Sequence, residues 1–569
     1  MNRSTIVCIM LIHIAFSPAV RNQAALASLD PAQADLPEID GNAVLEHIKV
    51  LASDRFEGRA PGTRGEDLTV AYLESQFRKL ALEPGNVDGT YIQRVPLVGI
   101  TPDSKMSLIF RKENETKQLK YMDDFVAWTR HAVARTGLDD SPLIFVGYGV
   151  EAPEFDWDDY RDVDVRDKTL VMLINDPPVP DPADPTKLDP DVFGGDAMTS
   201  YGRWTYKYDI GGEKGAAGVL VVHETEAAGY SWSVVQGFGG ERFNVAASGN
   251  DSSKPKIEAW IDLKQAKMLF AMAGQDFDAL KKLAATRRFR PVSLDLTASL
   301  TLDNTMRSIE SRNVLARLEG SDPELKDESV IYTAHWDHLG VGKPVNGDSI
   351  YNGAIDNASG VAGMIEIAKA FKKMPVSPKR SILFLAVTAE EQGLLGSEFY
   401  ATNPIYPLAK TVAAINIDGL NMHGRTKDFS IIGLGNSDLD DFARHAAAQQ
   451  GRVIIPDPEP EKGFYYRSDH FSFAKQGVPA LDPESGIDYI GKPAGFGFRI
   501  RDDYNTNDYH KPSDDVRNDW DMSGAMEDLQ LLCIVGRDVA NSDSCPQWKE
   551  GTEFKAKREA QLEGAGASH

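Results

Sequence analysis

Apolar residues at helical spacing run through 42–82, NAVLEHIKVLASDRFEGRAPGTRGEDLTVAYLESQFRKLAL, with a Gly/Pro-rich break at 58–65. That pattern predicts two helices joined by a loop. From about 138 the texture changes to short apolar runs, SPLIFVGYGV, KTLVMLIN and GAAGVLVVHE, separated by acidic and Pro-rich turns. It reads as a separate β-rich unit over 138–303. After 310 the pattern becomes strand, loop, helix, repeated. SVIYTAH (329–335), SILFLAVT (381–388) and TVAAINID (411–418) have strand length, and 358–373 and 437–450 have helical spacing. Strands this apolar on both faces belong to a mostly parallel mixed sheet flanked by helices, the α/β class. The expected organisation is a leader at 1–27, an N-terminal segment at 28–137, the β-rich unit at 138–303, the main α/β domain at 304–546 and a charged tail at 547–569.

A chain of 569 residues exceeds what one hydrophobic core organises, which agrees with two or more domains. The start, MNRSTIVCIMLIHIAFSPAV, carries Arg3 and then a short apolar run, and Ala25-Leu26-Ala27 follows as a small-residue cleavage site. Residues 1–27 therefore read as a secretory signal peptide, and a secreted or periplasmic location is expected. No later segment approaches the roughly 20 uninterrupted apolar residues that a membrane span needs.

The formal net charge is −24, and loss of the leader removes two arginines and no acid. That balance disfavours nucleic acid and anionic membrane surfaces as partners. The acidic run Asp156 to Asp167 lacks the glycine and spacing of a calcium loop and reads as a solvated face. Cys533 and Cys545 would survive processing; a disulfide between them and two free thiols are both open.

Three short stretches carry the chemistry: AHWDHLG at 334–340, AIDNASG at 354–360 and TAEEQGLLGS at 388–397. In open α/β sheets ligands gather at the carboxyl ends of strands. Here His335, the pair Glu390-Glu391 and Asp418 each follow a strand directly. Asp356 precedes a helix start, where its carboxylate stays ionised. Adjacent glutamates cannot face one ion in the same way, so one is expected to bind metal and the other to handle protons. Asp337 is placed to orient the second nitrogen of His335, and His338 reads as a bystander. For a further histidine ligand the residue types alone leave two choices, His470 in RSDHFSFAKQGVPAL and His510 in DYHKPSDD.

With ASDRFEGRAPGTRG, AHWDHLG, IDNASG, AEEQGLLGSEFY, INIDGLN, RSDHFSFAKQGVPAL and DYHKPSDD in this order, residues 42–100 and 310–540 resemble the co-catalytic dizinc aminopeptidases. Relatives of that family include glutamate carboxypeptidase II and the transferrin-receptor ectodomain. Residues 138–303 resemble the protease-associated domain that several members insert. The resemblance implies two zinc ions, one held by His335 and Asp418 and the other by Glu391 and His510, with Asp356 bridging. It makes Glu390 the general base and Tyr509 the donor to the developing oxyanion, and leaves Asp469 and His470 as support. The family often has a smaller residue at His338 and a bulkier one at Gly419.

The expected activity is zinc-dependent exopeptidase, an aminopeptidase removing N-terminal residues from peptides. A carboxypeptidase or dipeptidase could use the same metal centre, with Arg467 or Arg501 meeting a substrate carboxylate. A single-zinc glutaminyl cyclase also resembles the set, but it would not keep all five ligands. A receptor-like binding protein on this fold would have lost ligands, and none is missing. The Gly- and aromatic-rich stretch within 483–507, DYIGKPAGFGF, is expected to line the specificity pocket. Side-chain preference and oligomeric state are not written in these motifs.

Overall fold

The computed structural model describes residues 36–246 and 253–566. The expected leader at 1–27, with Cys8, lies outside the described residues. Among those described, no helix is long and apolar enough to cross a membrane.

Helix α1 (Gly41–Leu51) opens on Asp40, whose carboxylate accepts from the amides of Asn42 and Ala43, an N-cap that satisfies free backbone donors. After the turn at Asp54–Arg59, α2 (Arg64–Lys79) follows, as the interrupted helical spacing predicts. Strand β1 (Ile92–Pro102) leads towards the β-rich unit, and the 27-residue strand β2 (Val292–Leu318) returns from it. The first part of β2 pairs with residues 135–145 of that unit, whereas its later part pairs with β1 and then with the main sheet. One continuous strand thus belongs to two sheets.

The main sheet continues with β3 (Ser329–His335), β4 (Ser381–Val387), β5 (Thr411–Asn416), β6 (Asp428–Ile432) and β7 (Ala480–Glu484). Strand β3 lies between β4 and β5 and runs parallel to both, and β5 runs parallel to β7. β2 and β6 join antiparallel to β4 and β7 respectively. Ile382, Phe384 and Ala386 of β4 face one core, while Leu383, Leu385 and Val387 face another. Burial on both faces, with each such side chain contributing roughly 1.5–3 kcal/mol, explains a run with no polar alternation. Helices α3 (Gly360–Lys372) and α4 (Ser523–Asn541) cover the first of these faces.

A second core, separate from those of the main sheet, runs from Met106 to Leu302. It draws in Leu108, Phe110 and Phe125 to Trp128, so strands before 138 share their interior with the β-rich unit. The acidic run in this unit is not wholly solvated, as its pattern suggested. Asp159 is buried and accepts from the amide of Val150 at 3.0 Å and from Trp157 Nε1 at 2.9 Å. The charged tail carries a helix, Lys555–Gly566, and is docked: Trp548 and Phe554 are buried, and Arg558 donates to the carbonyls of Leu408 and Thr411. Cys533 and Cys545 are both free thiols, so no disulfide closes that loop. The stretch 483–507 contains a helix, Phe496–Asn507.

Candidate metal centre

Because β3, β4 and β5 are parallel neighbours, the residues that follow them emerge side by side. His335 pairs in register with Val387, and Thr333 with Asn416. The backbone turns sharply after both flanking strands, through Ala389 at φ 54° and Gly419 at φ 88°. Gly419 occupies the left-handed region that a bulkier side chain would resist.

The loop before α3 brings Asp356 to the same edge. Asn357 ties it there: its Oδ1 accepts from the amides of Gly360 (2.9 Å) and Gly419 (3.0 Å), and its Nδ2 donates to the carbonyl of Ile417 (2.9 Å). From the other side, the Asp514 carboxylate accepts from the amides of Ile355 (3.0 Å) and Asp356 (3.1 Å). Asp514 belongs to the DYHKPSDD segment, so the same contacts fix the loop that carries Tyr509 and His510.

Two acceptor-rich groups result, sharing Asp356. In the first, His335 Nε2 lies 3.1 Å from Asp418 Oδ1 and 3.3 Å from Asp356 Oδ1. In the second, His510 Nε2 lies 3.0 Å from Glu391 Oε2 and 3.3 Å from Asp356 Oδ2. The two oxygens of Asp356 therefore face different partners. Ligands about 2.0 Å from a tetrahedral ion are separated by about 3.3 Å, so both groups have the spacing of coordination edges. His335, Asp356 and Asp418 form one set able to hold a metal ion; His338, Asp356 and Glu391 form another.

The electrostatics also favour a cation. Burial opposes ionisation of Glu391, as does Asp356, but His510 and His338 outweigh both and its pKa falls to about 2. Burial likewise opposes the charged form of His510, yet Glu391 and Asp356 push its pKa up to about 11. Carboxylates that hold imidazoles protonated in this way would accept metal ions in place of the protons. Glu390 stands apart, with Oε2 4.0 Å from His335 Nε2. Burial, with Glu391 and Asp418, raises its carboxyl well above the usual range. Tyr509, 45% exposed, stacks on His510 with ring centroids 3.8 Å apart, and the protein packed around it together with the charges of Asp356 and Glu391 raises its phenol pKa.

Some placements differ from those read in the sequence. Asp337 meets His335 Nδ1 with its backbone carbonyl at 3.1 Å, the carboxylate being 3.8 Å away. That carboxylate instead accepts from the amides of Glu390 (3.1 Å) and Glu391 (3.4 Å), so it braces the glutamate turn. His470 is outside the cluster, with Nδ1 3.4 Å from Asp482 and a pKa lowered to about 3 by burial. Asp418 is held from behind by Ser468 Oγ at 2.5 Å. His338, read as a bystander, puts Nδ1 2.6 Å from Glu391 Oε1. Asn357, Arg59 and the clamping role of Asp514 were not singled out by residue type. A buried arginine is detectable only from what encloses it.

Residues 313–534 match the model of peptidase family M28. The matched segment contains His335, Asp356, Glu390, Glu391, Asp418, Tyr509 and His510, and β3 to β7 lie within it. Similar proteins include leucine aminopeptidase 2 of Trichophyton rubrum, 28% identical over 242 residues, or 39% of this chain and 45% of that protein. Aminopeptidase Y of Saccharomyces cerevisiae is 25% identical over 268 residues, or 45% of this chain and 43% of that protein. The chain spans less than half the length of these two relatives. Among solved structures, the aminopeptidase from Aneurinibacillus sp. strain AM-1 aligns with a TM-score of 0.48 at 19% identity, covering 89% of this chain and 94% of that one.

Proposed function

We propose that this chain is a two-zinc exopeptidase that acts as an aminopeptidase on peptides. The observation that carries the reading is the sharing of Asp356, with Oδ1 3.3 Å from His335 Nε2 and Oδ2 3.3 Å from His510 Nε2. His335 and Asp418 would hold one ion, Glu391 and His510 the other, and Asp356 both. Bound there, zinc would polarise a scissile carbonyl and acidify a water molecule. Glu390, beside the ligands with Oε2 4.0 Å from His335 Nε2, would accept the water proton on its carboxylate and return it to the leaving amine. Tyr509 donates its phenolic hydrogen to the oxyanion that develops on the substrate. Asp337 keeps the glutamate turn in place through the two amides it accepts. The M28 match over 313–534 and the aminopeptidase names of the similar proteins support the choice. The leader-like segment at 1–27 supports a secreted or periplasmic location, and the separate core spanning Met106 to Leu302 supports a protease-associated insertion.

One observation favours a carboxypeptidase or dipeptidase instead. Arg203 and Arg467 each bury an Nε that has no hydrogen-bond partner. Burial pushes the Arg203 pKa down to about 10, aided by Arg467, and Arg467 in turn feels Tyr230 and Tyr509. Arg467, which neighbours both Tyr509 and Arg203, would suit a substrate carboxylate. Assays on amino-acid anilides, N-blocked peptides with free carboxyl ends and dipeptides, each with and without a chelator, test the readings. Chelator-sensitive release from anilides supports the aminopeptidase. Cleavage confined to N-blocked peptides moves the function to a carboxypeptidase, and no hydrolysis at all leaves a receptor-like binding protein.

A further inference from the structure

The His338 side chain is fully buried. Its Nδ1 lies 2.6 Å from Glu391 Oε1, whereas Asp356 Oδ2 is 3.9 Å away. Its Nε2 is buried with no hydrogen-bond partner. The ring is held from two sides. It meets the His510 ring edge-on, with centroids 5.8 Å apart at 72°. The backbone of Gly353 lies against it so closely that a Cβ there would sit 2.5 Å from His338 Cγ. The imidazole has little freedom to turn elsewhere.

The 2.6 Å separation distinguishes two roles. Two donor atoms on one tetrahedral zinc stand about 3.3 Å apart, as the four edges through His335, His510 and Asp356 do at 3.0–3.3 Å. At 2.6 Å two lone pairs would repel, and a proton must lie between them. With Nδ1 as the donor, the tautomer that a carboxylate oxygen can accept from, the 2.6 Å contact is a charge-assisted hydrogen bond. It falls on Oε1, whereas Oε2 is the oxygen that faces His510.

We propose that His338 is a positioning residue for the second ion. Its Nδ1–H holds Glu391 Oε1 and so leaves Oε2 as the oxygen presented with His510 Nε2 and Asp356 Oδ2. The role rests on the two-zinc reading. Residues that orient a ligand in this way typically change metal affinity by about 10–100-fold when removed.

The test compares the wild-type protein with H338A, H338N and H510A by zinc content, chelator-competition titration and the visible spectrum of the cobalt(II)-loaded forms. Wild type should bind two zinc ions. H338A should keep the tighter ion and bind the second about 10–100-fold more weakly. H338N should recover most of that loss, because its amide nitrogen can donate from nearly the same place as imidazole Nδ1. The cobalt spectrum of H338A at saturation should match wild type, since no ligand nitrogen has been lost, whereas H510A should lose the second ion. A saturated H338A spectrum altered in band position and intensity, without rescue by H338N, makes His338 a direct ligand and overturns the positioning role. Wild-type affinity for both ions in H338A and H338N overturns it as well. If H338A does not fold, H338N alone decides: near-wild-type affinity with an unchanged cobalt spectrum supports the proposal, and loss of the second ion overturns it. Wild type binding fewer than two zinc ions brings down the two-zinc reading itself, an outcome separable from failure of the variants alone.

Discussion

Arg59 Nε donates to the backbone carbonyl of Trp336 at 2.9 Å, joining the N-terminal segment to the strand end that carries His335. Its other nitrogens reach the carbonyls of Leu51 (2.8 Å), Asn352 (2.6 Å) and Gly353 (2.8 Å). Burial lowers the guanidinium pKa to about 10, still high enough to keep the charge. Four carbonyls, one at the end of α1, one in AHWDHLG and two just before the Asp356 loop, thus depend on one side chain.

Substituting Arg59 by Met would strand those carbonyls without donors, with a loss of stability on the order of 3–5 kcal/mol. Thermal and denaturant unfolding would measure it. An unchanged melting temperature would show that the N-terminal segment does not support the site.

Asp356 presents one oxygen to each donor group, so Asp356→Ala should release both ions, while Asp418→Ala should weaken chiefly the His335 site. Elemental analysis of dialysed proteins distinguishes them. Retention of two ions by Asp356→Ala would contradict a bridge.

Glu390 lies 4.0 Å from His335 Nε2 and is proposed to move protons rather than bind metal. Glu390→Gln should therefore keep both ions and lose about 10²–10⁴-fold in kcat. Turnover close to wild type would remove the base assignment.

Tyr509 is proposed to serve the oxyanion only as it forms. Tyr509→Phe should lower kcat by about 10²–10³-fold with little change in KM or metal content. A change confined to KM would instead place the phenol in substrate binding.

Asp159 offers a test of the β-rich unit, away from the metal centre. Burial raises its pKa to about 7, against the opposing bonds from Val150 and Trp157 and the charge of Lys207. Between an unfolded value of about 3.9 and this folded one, the native state holds the extra proton. The stabilisation it contributes is present at the acid end of that window and is lost as pH rises towards 7. Asp159→Asn should remove this pH-dependent part while losing an acceptor, so the difference in unfolding free energy between the two proteins should change between pH 4 and 7. Parallel pH profiles would show that Asp159 ionises normally.

Much of the architecture was legible because the physics behind it is local. Both helices of 42–82 and the three strands ending near His335, Glu390 and Asp418 follow from apolar periodicity, with bounds shifted by a residue or two at most positions. His510 over His470 was an even choice by residue type, since both are histidines in acidic, turn-rich surroundings. The fold places one beside Asp356 and packs the other against Asp482. The buried state of Asp159 was hidden by its acidic neighbours.

The sequence by itself determined the parallel strands and the identity of the residues at their carboxyl ends, because strand burial and side-chain chemistry are written residue by residue. Only the tertiary structure decided which oxygen meets which nitrogen. The Asp337 carboxylate braces amides and leaves the imidazole to its backbone carbonyl, and His338 reaches Glu391. Arg59 supports the site from 276 positions before His335 or more. Those relations are set by packing between segments far apart in the chain, and no local pattern encodes such distances.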